Sequence, residues 1–224
     1  MFSHHFQSGG LGVELFSSAG KDPGKKWKLT QNVHRVYDKT IKGFVFLLEK
    51  GSTTQMCIPP DSRESLGVTQ ALVVFQLRLA HGKHVGIEII AADDKGARRR
   101  MHLSSTFREV ECNDLHIQLP LALETSDSWI NLIIDVNAII SNCFRGHRFQ
   151  SVEYICIKPV CRIRKVFTLP TPIDGPIRIP ATFEFPSGTD FINQVVVFTH
   201  FMIVFFSYFE VSVSTNIWYS VGIS

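Results

Sequence analysis

The 224 residues are 45% hydrophobic and 19% charged, enough apolar material for one packed domain with an extension, and this composition excludes a disordered chain. The formal net charge of +3 is unevenly spread. From Thr171 onward Arg178 is the only base against Asp174, Glu184, Asp190 and Glu210, a balance of −3 that leaves +6 on the body.

Short apolar runs rich in β-branched and aromatic residues recur along the body. They predict strands at 11–16, 33–37, 43–49, 54–58, 71–79, 84–91, 98–104, 115–121, 129–136, 151–158 and 161–169. Pro23-Gly24, Lys50-Gly51, Pro59-Pro60-Asp61, Asp94-Lys95-Gly96 and Pro159 punctuate them, a pattern that argues for an all-β sandwich or barrel. Alternation is cleanest where Val85, Ile87, Ile89 and Ala91 share one face and Gly86, Glu88 and Ile90 the other. The turn Asp93-Asp94-Lys95-Gly96 then reverses the chain as a hairpin into 98–104. One short helix is expected over 137–144, with Asp135 as its cap.

The tail breaks this pattern, so the chain divides into a domain over 1–169 and a divergent hydrophobic extension over 170–224. Eight of the eighteen Phe residues follow Thr171, and residues 191–209 carry no charge. Nineteen such residues satisfy the length of a membrane-spanning helix, the one route to a membrane in this sequence. Asn193, Gln194, Thr199, His200 and Ser207 interrupt the stretch and no Lys or Arg flanks it. Its Val, Ile, Phe and Tyr residues also suit a buried or aggregation-prone strand. The preferred reading is an alternative C-terminal end, with function located upstream.

The five cysteines, Cys57, Cys112, Cys143, Cys156 and Cys161, are odd in number and scattered. Residues 1–7 lack a basic region followed by an apolar stretch, so no secretory signal is expected. Reduced, mostly buried thiols in the cytosol or a compartment continuous with it follow from that.

Chemistry-bearing motifs fail on inspection. Gly20-Lys21-Asp22-Pro23-Gly24-Lys25-Lys26 has three residues between its glycines, and Lys26 stands where a phosphate loop needs Ser or Thr. Cys143, His147, Cys156 and Cys161 include zinc-type ligands, but their spacing matches no common zinc knuckle and two lie inside apolar strands. There is no nucleophile elbow and no paired-carboxylate arrangement. The expectation is a non-enzyme with no cofactor and no metal.

Basic clusters remain. Arg98 and Arg100 share the outer face of their strand with His102, while Met101 and Leu103 point inward. Arg162 and Arg164 occupy one face of 161–169, opposite Ile163 and Phe167. If the two strands are neighbours, four guanidinium groups form a stripe suited to paired carboxylates. Otherwise they are separate cationic strands whose charge discourages aggregation. Lys25 and Lys26 flank Trp27, which either anchors a loop on the core or stacks on a partner. A body this basic suits tubulin, nucleic acid or an anionic membrane, although ordinary surface charge accounts for it equally well.

Several landmarks together resemble the cilia- and flagella-associated protein 20 domain family. They are Met1-Phe2 with Phe6-Gln7 and Gly9 or Gly10, Asp38-Lys39 before 43–49, Pro60 with Leu66-Gly67, and Asp94 through Arg98-Arg99-Arg100. Pro120-Leu121, Trp129 with Leu132 and Asp135, and Cys161-Arg162-Ile163-Arg164-Lys165-Val166-Phe167 complete the series. The loop from Gly20 to Lys28 is closest to the longer "domain-containing" branch. The resemblance covers 1 to about 169. It implies a jelly-roll-like antiparallel β-sandwich, similar to carbohydrate-binding modules, in a structural component of axonemal or basal-body microtubules. Tubulin or another axonemal protein is then the implied partner, and cytoplasm, cytoskeleton, cilium or basal body the location. The expected partner-binding residues are Arg98, Arg100, Arg162, Arg164, Lys25, Lys26 and Trp27. The alternative is a glycan- or nucleic-acid-binding sandwich module.

Overall fold

The computed structural model describes residues 11–123, 127–199, 202–208 and 217–222. The landmarks within residues 1–10 lie outside the described residues. The first half of the chain holds β1 (Val13–Ser17), β2 (Lys28–Leu29), β3 (Val33–Asp38), β4 (Gly43–Leu48), β5 (Met56–Ile58), β6 (Leu72–Arg78), β7 (Gly86–Asp93) and β8 (Arg98–Ser104). Then come β9 (Glu111–Cys112), β10 (His116–Pro120), β11 (Trp129–Asp135), the helix α1 (Val136–Cys143), β12 (Phe149–Lys158) and β13 (Cys161–Leu169). A 3₁₀ turn (Ala181–Phe183) leads to β14 (Phe191–Thr199), β15 (Met202–Tyr208) and β16 (Ile217–Gly222).

These strands make two sheets. The nine-stranded sheet runs β16-β15-β14-β11-β6-β13-β4-β3, with β1 also paired to β13. The seven-stranded sheet runs β2-β5-β12-β7-β8-β10-β9. Pairing is antiparallel except for β8 with β10 and β11 with β14. Between the sheets, Phe75, Leu77, Ile130, Leu132, Ile163 and Val166 meet Met56, Ile87, Ile89, Met101, Leu103, Ile155 and Ile157. Each such side chain stabilises the fold by roughly 1.5–3 kcal/mol relative to exposure.

Local chemistry explains the joints. Asp135 caps α1 by accepting from the Ala138 amide at 2.9 Å, and Val136, Ile139 and Ile140 bury the inner side of the helix. In the β7–β8 turn, the Asp93 carboxylate accepts from the amides of Lys95 and Ala97 at 3.0 and 2.8 Å. Gly96 takes the positive φ of 80° that closes the turn.

The nine-stranded sheet is buried on its second face as well. Phe183 stacks on Phe167 with ring centroids 4.3 Å apart, above Leu72, Val74, Ile133 and Val195. Phe185 packs beside Trp129, Val45 and Ile41. A polar ladder crosses the strands under this cover. Arg164 donates to Gln76, Gln76 donates to Asn131 at 3.1 Å, and Asn131 donates to Asn193 at 2.8 Å. The Phe183 carbonyl accepts a second bond from Gln76 at 2.7 Å. Such buried amides are tolerated because each finds a partner.

Residues 177–185 and strands β14 to β16 are thus continuous with the sandwich. β14 lies parallel to β11 in unbroken register from Trp129↔Phe191 to Ile134↔Val196. Within 191–209, where the length rule allowed a membrane helix, the chain forms strands β14 and β15. No helix among the described residues is long and apolar enough to cross a membrane. The physical reason is composition: β-branched and aromatic residues of β14 fill both sides of the sheet, Ile192 and Val196 on one and Val195 on the other.

Candidate functional site

The two outer faces of the sandwich differ. The segment from Ile177 to Phe185 packs on the nine-stranded sheet, while the outer face of the seven-stranded sheet carries polar and charged side chains around a small buried cluster of Cys57, Ile90, Tyr154 and Cys156. One row of directly paired residues crosses that face through all seven strands: Lys28, Cys57, Cys156, Glu88, His102, Gln118 and Glu111. The next row places Arg100 between Ile90 and His116, and Arg98 lies opposite Ala92.

The charges here are only partly satisfied. Glu88 receives Arg100 Nε on one carboxylate oxygen and Lys158 Nζ on the other, both at 3.3 Å. Arg98 is exposed and donates to the Ser62 carbonyl at 2.9 Å, with no carboxylate partner among the described residues. Burial, and then the Lys158 charge, hold the His102 imidazole below its ordinary pKa of 6.5, which favours its neutral form. Arg100 and Lys158 are thus partly exposed cations around a mostly buried Glu88, whereas Arg98 can meet an external anion without breaking an ion pair among the described residues.

Three crossovers extend the basic surface at one end. Lys50, Gly51 and Ser52 follow β4, Gly82, Lys83 and His84 precede β7, and Pro159 and Val160 join β12 to β13; together they line a cleft of about 510 Å³. Sequence reading missed Lys50, Lys83 and Lys158 because each is a lone cation. The only signal was the Gly or Pro beside each of them, which marked a turn without saying which turns meet.

The two arginine strands are not neighbours, so the four-arginine stripe does not form and the reading as separate cationic strands holds. Arg98 and Arg100 belong to the seven-stranded sheet and Arg162 and Arg164 to the nine-stranded one. Arg162 Nη1 lies 2.5 Å from the buried Asp38 carboxylate, which Arg78 also approaches at 3.6 Å. Arg164 is held by Gln76 and lies over the Phe185 ring. A bulge between Ile163 and Lys165 also changes the alternation in β13. Phe167 consequently joins the outer cluster with Leu72 and Val74, on the side of Arg162 rather than opposite it.

Trp27 is likewise removed from the partner-binding set. It is 6% exposed, its Nε1 donates to the Leu15 carbonyl at 2.9 Å, and its ring meets Phe16 edge-on. It anchors the turn that presents Lys25 and Lys26, both exposed, ahead of edge strand β2 and Lys28.

Arg99, between the two outward arginines, turns inward. It binds Asp93 through Nε at 2.8 Å and Nη2 at 2.6 Å, contacts the Asp114 carbonyl, and lies over the Phe144 ring. Burial pushes the Asp93 carboxyl up, but Arg99 and the Ala97 and Lys95 amides outweigh it and leave the pKa lowered. Among the described residues, Asp93, Asp94 and His147 form the group whose ligand atoms approach one another closely enough for an ion. Asp93 is already committed to Arg99, which marks the cluster as a hairpin lock. The zinc-type set does not converge: Cys156 faces Cys57, and Cys161 lies in the core.

Two sheets packed face to face, one backed by residues 177–185 and the other presenting basic side chains among the described residues, define a β-sandwich domain. Residues 1–172 match the family model of the CFA20 domain, and the chain belongs to that family. The family name points to association with cilia and flagella. A solved structure described as an exo-beta-agarase is similar over 72% of this chain at 11% identity and a TM-score of 0.39. The match takes in 25% of that chain, so this protein spans about a quarter of its length.

Proposed function

We propose that the protein is a non-catalytic structural and interaction module of ciliary, axonemal or basal-body microtubules. It docks on tubulin or a neighbouring axonemal protein through the open face of the seven-stranded sheet. The observation that supports this reading is the asymmetry of the sandwich: one outer face is covered by residues 177–185, and the other presents Arg98, Arg100, Lys28 and Lys158. Lys25 and Lys26 extend that surface at the β2 edge, and an acidic polymer surface complements it. The glycan alternative lacks a stacking platform in Trp27 or Trp129, which are 6% and 0% exposed.

Co-sedimentation with stabilised microtubules tests the proposal. Charge reversal of Arg98 and Arg100 to Glu weakens binding about tenfold or more, while Lys39→Glu, near the β3 edge of the other sheet, leaves it within about twofold. Equal binding by all three proteins removes the surface. Binding to duplex DNA or RNA with a steep salt dependence, in place of microtubules, favours the nucleic-acid alternative. A tagged full-length copy in ciliated cells should concentrate at the axoneme or basal body.

A further inference from the structure

Cys57 of β5 and Cys156 of β12 are direct partners in an antiparallel ladder on the open face. Both are free thiols, 0% and 1% exposed, and their sulfurs lie 2.7 Å apart. Directly opposed residues in such a ladder hold their α-carbons about 4.5–5.5 Å apart, inside the roughly 4.4–6.8 Å that a disulfide spans. The flanking pairs, Met56 with Ile157 and Ile58 with Ile155, put core residues on either side and fix this register. The two sulfurs are therefore brought together by the fold.

A surface cavity lies beside the pair, separated from the sulfurs by the Gln55 and Tyr154 side chains. It measures about 470 Å³ and is lined by Lys28, Gln55, Pro60, Asp61, Ser62 and Tyr154. Two of these residues also touch the thiols: the Gln55 Oε1 lies 3.6 Å from the Cys156 sulfur, and Tyr154 hydrogen-bonds Cys57. Lys28 is paired directly with Cys57 across β2 and β5. The hydrogen bond shared with Cys156, then the Tyr154 hydroxyl and the Lys28 charge, lower the Cys57 pKa against burial and Glu88, which favours Cys57 as the attacking thiol. Cys161, by contrast, lies in the core with its thiol pushed up to about 12 by burial.

We infer that Cys57 and Cys156 form a reversible intramolecular disulfide when the protein meets a small disulfide of the glutathione class. Cys57 loses its proton and its thiolate attacks one sulfur of the small disulfide, which gives a mixed disulfide and releases one small thiol. Cys156 then loses its proton and attacks the Cys57 sulfur, which forms the cross-strand bond and releases the second small thiol. The protein gives up two electrons and two protons, and the small disulfide is reduced to two thiols. The bond ties the three-residue strand β5 to the ten-residue β12. β5 is the strand that holds β2, and so Lys28, in the sheet. Oxidation thus fastens the basic edge of the open face.

The test uses the folded full-length chain. It is incubated with oxidised glutathione, quenched in acid, alkylated in denaturant and digested for mass spectrometry. The expected result is a Cys57–Cys156 linked peptide pair lighter by two hydrogens and reversed by dithiothreitol. Two of the five thiols are then protected from alkylation. The Cys57→Ser/Cys156→Ser double variant should give no such protection; the wild-type peptide map decides the matter even if that variant does not fold. Full alkylation of both residues, a persistent glutathione adduct at Cys57, or a bond between other cysteines overturns the inference.

Discussion

Arg162 reaches Asp38 across 124 positions of sequence, and its guanidinium lies 2.5 Å from a carboxylate whose side chain is 1% exposed. The other carboxylate oxygen accepts the amides of Thr40 and Ile41 at 2.9 and 3.3 Å. An arginine that reads from sequence as a docking residue is therefore part of an internal clamp. Asp38→Ala should cost about 3 kcal/mol, because it leaves Arg162 and Arg78 without their shared anion. Arg162→Ala should cost about 2 kcal/mol, since Arg78 remains as a partner. Arg98→Ala should stay within about 0.5 kcal/mol of wild type. Urea denaturation of the three variants checks this order; an Arg98 variant as unstable as the Asp38 one would contradict it.

Acid stability follows from the same carboxylates. Burial raises the Asp38 pKa, but the Arg162 hydrogen bond and the Ile41 and Thr40 amides leave it lowered from 3.8, and Asp93 is lowered by Arg99 in the same way. Their contribution is fully present above pH 3.8 and fades as pH falls through the lower folded values. His102 acts at a higher pH. Its folded pKa lies below 6.5, so the unfolded chain takes up the proton first and stability declines as pH drops below 6.5. Thermal melts from about pH 7.5 down to about pH 3 should show both phases. His102→Gln should flatten the upper one, and Asp93→Asn should lower stability near neutrality and weaken the acid slope.

The ladder from Gln76 through Asn131 to Asn193 should behave as one unit. Asn131→Ala removes both a donor and an acceptor from a buried row and should cost about 2 kcal/mol. In a double-mutant cycle with Asn193→Ala, the two losses should fall short of additivity by about 1 kcal/mol. Strict additivity would show that the contact does not hold β14 on β11.

Phe183→Ala opens a cavity over Phe167 and should cost about 3 kcal/mol by equilibrium unfolding. Truncation after Leu169 is harsher, since it uncovers Val74, Ile133, Phe167 and Trp129 together. The truncated chain should elute from size exclusion as aggregate rather than as a smaller form of the full-length protein. A localisation assay with a chain cut there would report on misfolding.

The body of the sandwich was legible because its strands alternate. In β8, Met101 and Leu103 lie in the core while Arg98 and Arg100 are exposed, as period two requires, and the Asp135 cap marked the start of α1. β2 and β9, with two residues each, are too short to show any period. Sheet membership was illegible for a different reason. Nothing local to Arg162 says that β13 sits between β6 and β4, in the sheet that lacks β8. The tail misled because β14 is buried on both sides over Ile192–Val196, which erases alternation and leaves an uncharged run as long as a membrane helix.

The bulge in β13 makes the length of that strand as important as its composition. Lys165 and Phe167 pair with Gln76 and Val74 only because one surplus residue follows Ile163. A one-residue deletion there would close the bulge into a regular ladder and leave Val166 facing the core and Phe167 facing residues 177–185. Loss of both positions between Ile163 and Val166 would instead turn Val166 outward and Phe167 inward, so the segment should tolerate one deletion but not two.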